Sequence, residues 1–465
     1  MAIARLWLMP LGSSFWVDEM ATVFVVEHGA NDPSLAVAPQ VPQSIYYSVA
    51  RATNPGRSEV AYRLPSIFFM GAALCFVALL AARLIHPDAK WFVFFAALSL
   101  KNINYEAANA RPYAMGICAA AAGLYFLVRW LAGRQWFDAT LFIAFAALLW
   151  RVHLIFWPFY LVFALTALVR RDGVEWWKIA AVFAVLGVLL IPVAVNALRL
   201  NAQAKEHVVT AQPGMSDLIR VLRFTLVLAS AAGAWILSRF AKPRAVARSS
   251  AVPILAWMLA QPVALFAYSH LTGNSVFVPR YLTLSTPGTA LAAALAVSLF
   301  LPQRFWKAAA LVMGVCAVFA ASDAKKLWPD HHNSDWRAAA EAISRLALPV
   351  SVPIICPSPF IEAHPPEWRP DYPLPGFLYA HLPVYPVRGN VVLFPFADSR
   401  EAEAYATALV DGAIPASGRV VIYGGNGGAR FWVEWFAKRP ELAGWTHREL
   451  GNFLDVHAVL FERPR

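Results

Sequence analysis

A chain of 465 residues that is 59% hydrophobic and only 14% charged, with a mean hydropathy of +0.53, is too apolar for a water-soluble globular domain and reads as a polytopic membrane protein. Its formal net charge of +11 comes from 39 Lys+Arg against 28 Asp+Glu, but the cations are dispersed between apolar segments and form no single patch, which argues against a nucleic-acid surface. Four cysteines, of which Cys75, Cys118 and Cys316 lie in apolar segments, are too few for a disulfide framework.

In chain order, the first apolar run is short. Pro10 and Gly12 interrupt it before Asp18, whereas a spanning helix takes about 20 apolar residues. No signal peptide with a small-residue cleavage site is visible. Either the first helix spans only partly, or the start codon lies upstream and adds about ten apolar residues. The stretch FWVDEMATVF, Phe15 to Phe24, then places adjacent carboxylates, Asp18 and Glu19, between apolar runs. The bland reading is that Asp18 caps the following helix. The functional reading is that an acid at a membrane boundary is kept for a role that offsets its desolvation.

Ala21 to His28 and Pro42 to Ala50 read as short amphipathic helices lying along the membrane surface, separated by the turn-rich NDPS at Asn31 to Ser34. Apolar segments follow at Leu64 to Ile85, Trp91 to Asn109, Pro112 to Trp130, Ala139 to Arg151, Leu154 to Val169, Trp177 to Leu198, Leu218 to Phe240, Val252 to Leu271, Tyr281 to Leu301 and Ala308 to Ala321. With the truncated first helix that makes about eleven spans.

Every second loop is basic: Arg83 and Lys90; Arg129 and Arg134; Arg170, Arg171 and Lys178; Arg239, Lys242, Arg244 and Arg248; Arg304 and Lys307. The positive-inside rule puts these loops in the cytoplasm, and Asp18, the surface helices and the C-terminal part on the other side. Arg63, Arg111, Arg151 and Arg280 then fall at non-cytoplasmic helix ends, where topology gives no reason for a cation. Each alone reads as snorkelling or pairing. Together with Asp18, Glu19 and Glu106 they read as an anion site facing an acidic one.

From about Ser322 the composition turns soluble. Helices are expected at Trp336 to Leu346, Arg400 to Val410 and Ala429 to Lys438, and strands at Val352 to Cys356, Asn390 to Phe394, Arg419 to Tyr423 and Leu454 to Phe461, which suggests a small α/β domain. The expected organisation is a transmembrane domain over 1–321, whose first outer loop, 18–62, carries the short helices, and a non-cytoplasmic domain over 322–465. The proline- and aromatic-rich stretch from Cys356 to Pro386 reads as an ordered loop.

FWVDEMAT (Phe15 to Thr22), RLPS (Arg63 to Ser66), EAANARPYAMG (Glu106 to Gly116), FVPRYLTLSTPG (Phe277 to Gly288) and DWRAAAEAI (Asp335 to Ile343) occur in an order that resembles the GT-C membrane glycosyltransferases. The bacterial branch similar to protein O-mannosyltransferases and to the lipid A aminoarabinose transferase is the nearest resemblance. It implies a polytopic helical fold with a small C-terminal α/β domain. It also implies an enzyme of the inner membrane that moves a sugar from a polyprenyl-phosphate carrier to a lipid, glycan or protein acceptor on the periplasmic or exterior face, by an inverting single displacement.

The residues suit that chemistry. Displacing a lipid phosphate from an anomeric carbon takes a base for the acceptor hydroxyl and cations for the departing phosphate. Asp18 is the candidate base. Arg63, Arg111 and Arg280 are candidates for the donor phosphate, because guanidinium offers a planar fork of donors and stays charged. Tyr113 and Tyr281 follow two of these arginines and reach the phosphate or serve as interfacial belt residues. Glu19 positions an acceptor, binds a divalent cation, or is a solvated acid. Lys101 and Glu106 pair with each other or face the cavity, and His153 lines the cavity or is a satisfied interfacial histidine. GGNGG at Gly424 to Gly428 reads as a tight turn, and His331 and His332 lack zinc-site spacing, so no metal is assigned. The rival readings are another lipid-carrier transferase, moving phosphoethanolamine or a whole glycan, and a transporter or flippase of lipid-linked sugar, which would show paired inverted halves.

Overall fold

A computed structural model describes residues 4–53, 58–171, 173–203, 211–239, 242–243, 245–322 and 330–464. Arg244 of the basic-loop pattern lies outside the described residues, as do the residues that follow Ser322 at the expected domain boundary. The chain divides into two compact units. One takes Met1–Leu11, Gln43–Gly56 and Val60–Pro329, and the other takes Gly12–Pro42, Arg57–Glu59 and Asp330–Arg465. The expected first outer loop is therefore shared: its N-terminal part, which carries Asp18, is grouped with the C-terminal residues.

The helices run α1 (Val17–His28), α2 (Tyr46–Thr53), α3 (Glu59–Leu84), α4 (Ala89–Leu98), α5 (Lys101–Ala107), α6 (Tyr113–Gly133), α7 (Trp136–Val152), α8 (Phe159–Val169), α9 (Trp176–Gln203), α10 (Met215–Leu222), α11 (Phe224–Leu237), α12 (Arg248–Thr272), α13 (Thr286–Phe300) and α14 (Trp306–Ser322). All but α1 belong wholly or mainly to the first unit. Among the described residues six helices are long and apolar enough to cross a membrane, or seven if α10 and α11, bent by 47°, form one span. This is an integral membrane protein. The ten expected apolar segments are helical where described, but several are short or broken, and length and composition alone do not confirm the expected count of about eleven spans.

The breaks have local causes. The expected span from Trp91 to Asn109 divides between α4 and α5, and Asn104 Nδ2 donates to the carbonyls of Leu98 (2.7 Å) and Leu100 (3.4 Å) at the break. Before α13, Pro279–Ser285 is a 3₁₀ turn, and the short 3₁₀ segment Leu154–Phe156 precedes α8. Residues 4–12 form one π turn and one 3₁₀ turn, and Arg63 Nη1 fixes them by donating to the carbonyls of Pro10 (3.1 Å) and Leu11 (2.8 Å).

Small residues set the packing. The stretches from Tyr113 and from Pro279 are each 89% buried over their apolar windows, whereas the window in α9 is 17% buried, which makes α6 and α13 central and α9 a lipid-facing helix. α6 carries the run Ala119 to Ala122, and α13 opens with Pro287 and Gly288. A Cβ on Gly288 would lie 2.5 Å from the Met258 nitrogen of α12, so only glycine permits this backbone approach.

The second unit holds α1, α15 (Trp336–Arg345), α16 (His381–Val384), α17 (Arg400–Asp411), α18 (Ala413–Ser417) and α19 (Asn426–Ala437). Its strands are β1 (Pro353–Pro357), β2 (Asn390–Phe394), β3 (Arg419–Gly425), β4 (Thr446–Glu449) and β5 (Val456–Glu462). They form one sheet in the order β2-β1-β3-β5-β4. β1 pairs in parallel with β2 and β3, and β5 runs antiparallel to both β3 and β4. β1 is buried along its whole length, as a central parallel strand covered on both faces should be. Asp335 starts α15 by accepting from the Ala338 amide at 3.0 Å.

Candidate active site

Within the membrane unit the anomalous cations lie where helices begin or break. Arg111 immediately precedes α6 and Arg280 sits in the 3₁₀ turn before α13. His153, in the link between α7 and α8, ties them together. Burial holds its imidazole below its ordinary range, and the charges of Arg111 and Arg280 push it further the same way. The ring is therefore neutral. Its Nδ1 accepts from the Ile155 amide at 3.3 Å, which leaves the hydrogen on Nε2 as a donor.

Aromatic rings complete the group. His153 stacks on Tyr113 at 5.6 Å and lies 5.4 Å from Tyr281, while the Arg280 guanidinium sits over the Tyr281 ring at 5.5 Å. Arg111 Nη1 donates to Tyr47 Oη at 3.4 Å. Two guanidinium groups, a neutral imidazole and three tyrosines are thus gathered at one place. They offer charge-assisted donors with aromatic walls, a set suited to a phosphate that carries a sugar or a lipid.

The second unit carries the acids. α1 begins at Val17, and Glu19 Oε2 accepts from the Trp16 amide at 3.4 Å, so Glu19 serves as the capping acid. Asp18, half-buried in the first turn, is not the cap residue, and the bland reading of it as an N-cap is corrected. Glu19 is completely buried and its Oε1 lies 4.0 Å from His331 Nε2. His332 stacks on Trp16 at 4.8 Å; burial lowers its pKa while Glu19, Asp455 and Asp18 pull the other way. Among the described residues no three His, Cys, Asp or Glu side chains group as metal ligands.

This stretch is held by the C-terminal residues of its own unit. Tyr385 Oη accepts from the Phe15 amide at 2.8 Å and donates to Glu59 at 2.9 Å. Arg337, from the DWRAAAEAI motif, bonds the Gly12 carbonyl at 2.7 Å and pairs with Glu59 at 3.1 Å. The His331 amide donates to Ser13 Oγ at 3.1 Å. A motif that looked like a domain start is thus also a clamp on the segment leading into Asp18.

Of the other sequence candidates, Arg63, Glu106 and Arg151 have partners of their own. Arg63 is fully buried, with Nη1 engaged by the carbonyls of residues 10 and 11. Glu106 is buried and accepts from Asn109 Nδ2 at 2.9 Å, whereas Lys101, at the exposed start of α5, forms no ion pair with it among the described residues. Arg151 turns to α9 and donates to the Leu189 carbonyl at 3.2 Å. Tyr47, Tyr385 and Arg337 were not singled out from the sequence. Two adjacent tyrosines, Tyr46 and Tyr47, on a short helix were the available signal, but only the tertiary structure separates Tyr46, bonded to Ser66 Oγ at 3.0 Å, from Tyr47 beside Arg111.

No protein-family model matches the chain and no curated protein matches it. Solved structures do. ArnT from Cupriavidus metallidurans in the apo state superposes with a TM-score of 0.57 at 12% identity, covering 99% of this chain and 96% of ArnT. ArnT from the same organism bound to undecaprenyl phosphate superposes with a TM-score of 0.51 at 13% identity over the same shares, 99% and 96%. The chain has the fold of ArnT.

Proposed function

We propose that this protein is a membrane glycosyltransferase that moves a sugar from a polyprenyl-phosphate carrier to an acceptor on the non-cytoplasmic face. The observation that carries the reading is the gathering of Arg111, Arg280, His153, Tyr47, Tyr113 and Tyr281 at helix ends. It occurs on a fold whose solved neighbour was captured with undecaprenyl phosphate. Arg111 and Arg280 hold the donor phosphate, with the Nε2 hydrogen of His153 as a third, neutral donor. Arg63, whose Nη1 fixes residues 10 and 11, is the third arginine proposed for the donor phosphate.

The proposed reaction is a single displacement. Asp18 takes the proton of the acceptor hydroxyl, whose oxygen forms a bond to the anomeric carbon from the face opposite the phosphate. The carbon–oxygen bond to the phosphate breaks, its electron pair leaves with the phosphate, and the two guanidinium groups neutralise the charge as it grows. Inversion at the anomeric carbon follows.

Purified full-length protein, incubated with a synthetic polyprenyl-phosphate sugar and bacterial envelope acceptors, should release free polyprenyl phosphate and a glycosylated product of inverted configuration. Mass spectrometry of membrane glycolipids with and without the protein identifies the acceptor. Donor that is bound but never consumed, together with movement of intact lipid-linked sugar across vesicles, would instead establish the flippase reading.

A further inference from the structure

Arg151 was expected to join the anion-binding arginines, yet it lines a separate open cleft of about 370 Å³ between the end of α7, the second half of α9 and residues 43–45. We propose that this cleft binds the phosphate headgroup of an anionic membrane phospholipid, with Arg151 as its cation. The proposal stands independently of the transferase reading.

The charge comes first. One guanidinium nitrogen is engaged by the Leu189 carbonyl, and among the described residues Arg151 has no carboxylate partner, so four of its five N–H donors are not accounted for by that bond. An exposed cation at a helix end beside an open cleft is matched by an anion of planar or tetrahedral oxygens.

The walls are mainly apolar, with Ile45, Leu154, Pro192 and Val193 among them, and a few fixed polar groups are set into them. Asn196 Nδ2 donates to Gln43 Oε1 at 2.8 Å, closing one side of the cleft. Ser44 Oγ donates to the Val152 carbonyl at 2.6 Å and the Ile45 amide to the Arg151 carbonyl at 3.0 Å, which fixes residues 44–45 against the end of α7. Trp150 lines the cleft as well, and an indole at that depth suits a headgroup boundary.

Depth and surroundings select a lipid over a free ion. α9 opens with Trp176, Trp177 and Lys178, an aromatic and basic membrane edge. Asn196 lies twenty residues farther, about 30 Å along the helix, which is the thickness of the hydrocarbon core. The α9 surface leading to the cleft exposes Val185, Val188, Leu189, Ile191 and Val195, an apolar strip fit for acyl chains beneath a headgroup at Arg151.

The test uses full-length protein in phosphatidylcholine nanodiscs containing a trace of phosphatidylglycerol with a photoreactive headgroup, and a phosphatidylcholine analogue as control. Peptides around Trp150 to Leu154 and Val193 to Asn196 should be labelled by the phosphatidylglycerol probe about tenfold more than by the control, by the usual strength of a charge-assisted bond. Arg151→Ala should abolish that preference and Arg151→Lys should keep most of it. Asn196→Leu, which leaves Arg151 and its Leu189 bond in place, should cut labelling several-fold and guards against misfolding of the alanine variant. Equal labelling by both probes, or labelling unchanged in Arg151→Ala and Asn196→Leu, would overturn the proposal. Displacement of the probe by millimolar inorganic phosphate would overturn the lipid assignment in favour of a free-phosphate site.

Discussion

Asp18 lies two residues past Trp16, the N-cap of α1, so its carboxylate is not needed to start the helix. Asp18→Asn should therefore leave the melting temperature nearly unchanged, since a first-turn acid contributes only about 0.3–1 kcal/mol through the helix dipole. Its turnover should fall at least about 100-fold, the usual minimum for a lost general base, while donor affinity stays near wild type. Arg280→Ala should weaken donor binding and turnover together. Near-normal turnover by the asparagine variant would remove Asp18 from the base role and turn attention to Glu19. His381 gives a different handle. It is fully buried, its Nε2 lies 3.1 Å from Cys356 Sγ, and burial lowers its pKa to about 3. The folded-state value is below the ordinary 6.5, so the unfolded chain takes up the proton first. The stability contributed by the neutral ring is present above about pH 6.5 and is lost as pH falls toward 3. Melting of the C-terminal unit followed from pH 7 to pH 4 should drop more steeply in wild type than in His381→Gln; parallel curves would mean that the ring does not govern acid sensitivity.

At the level of elements, the close approach of α13 to α12 depends on Gly288. Gly288→Ala should destabilise the detergent-solubilised protein by about 1–3 kcal/mol, the usual cost of overpacking, seen as a lower unfolding temperature. An unchanged temperature would show that the two helices can separate at little cost. The clamp on residues 12–16 makes a second forecast. Arg337→Ala combined with Tyr385→Phe removes the bonds to Gly12, Phe15 and Glu59, so α1 loses its anchorage while the donor-binding arginines are untouched. The expected signature is a fall in turnover with donor affinity retained, measured by titrating the polyprenyl-phosphate sugar. A fall in both would mean that the clamp supports the whole fold.

For the whole molecule, the sidedness proposed from the alternation of basic loops, with the C-terminal unit outside the cytoplasm, makes a direct forecast. A reporter active only in the cytoplasm, fused after Arg465, should be silent, and one active only outside should work. Strong cytoplasmic activity would reverse the proposed sidedness and with it the side on which sugar is transferred. Because α1 and the sheet belong to one compact unit, the residue proposed as base shares a unit with the C-terminal sheet although it lies near the start of the chain.

The sequence by itself determined the membrane class, the positions of the ten apolar segments and most of the C-terminal α/β alternation. These follow from local quantities, namely the run length of apolar residues and their period, which survive whatever the rest of the chain does. Asn390–Phe394 matches its expected strand end to end. The exposed edge strand Thr446–Glu449 was missed because THRE has no apolar face to reveal it. It also singled out Arg111, Arg280, Tyr113, Tyr281 and His153, because polar groups at apolar helix ends stand out against their neighbours. Only the tertiary structure decided which of these meet. Arg63 and Arg151 have the same local setting as Arg111 and Arg280, yet one binds backbone carbonyls and the other faces α9, since a side chain's partners come from distant segments whose approach no local pattern encodes. The broken spans were hidden for the same reason: Asn104 reaches the Leu98 carbonyl at the break only once the chain has turned, and hydropathy counts residues without seeing that turn.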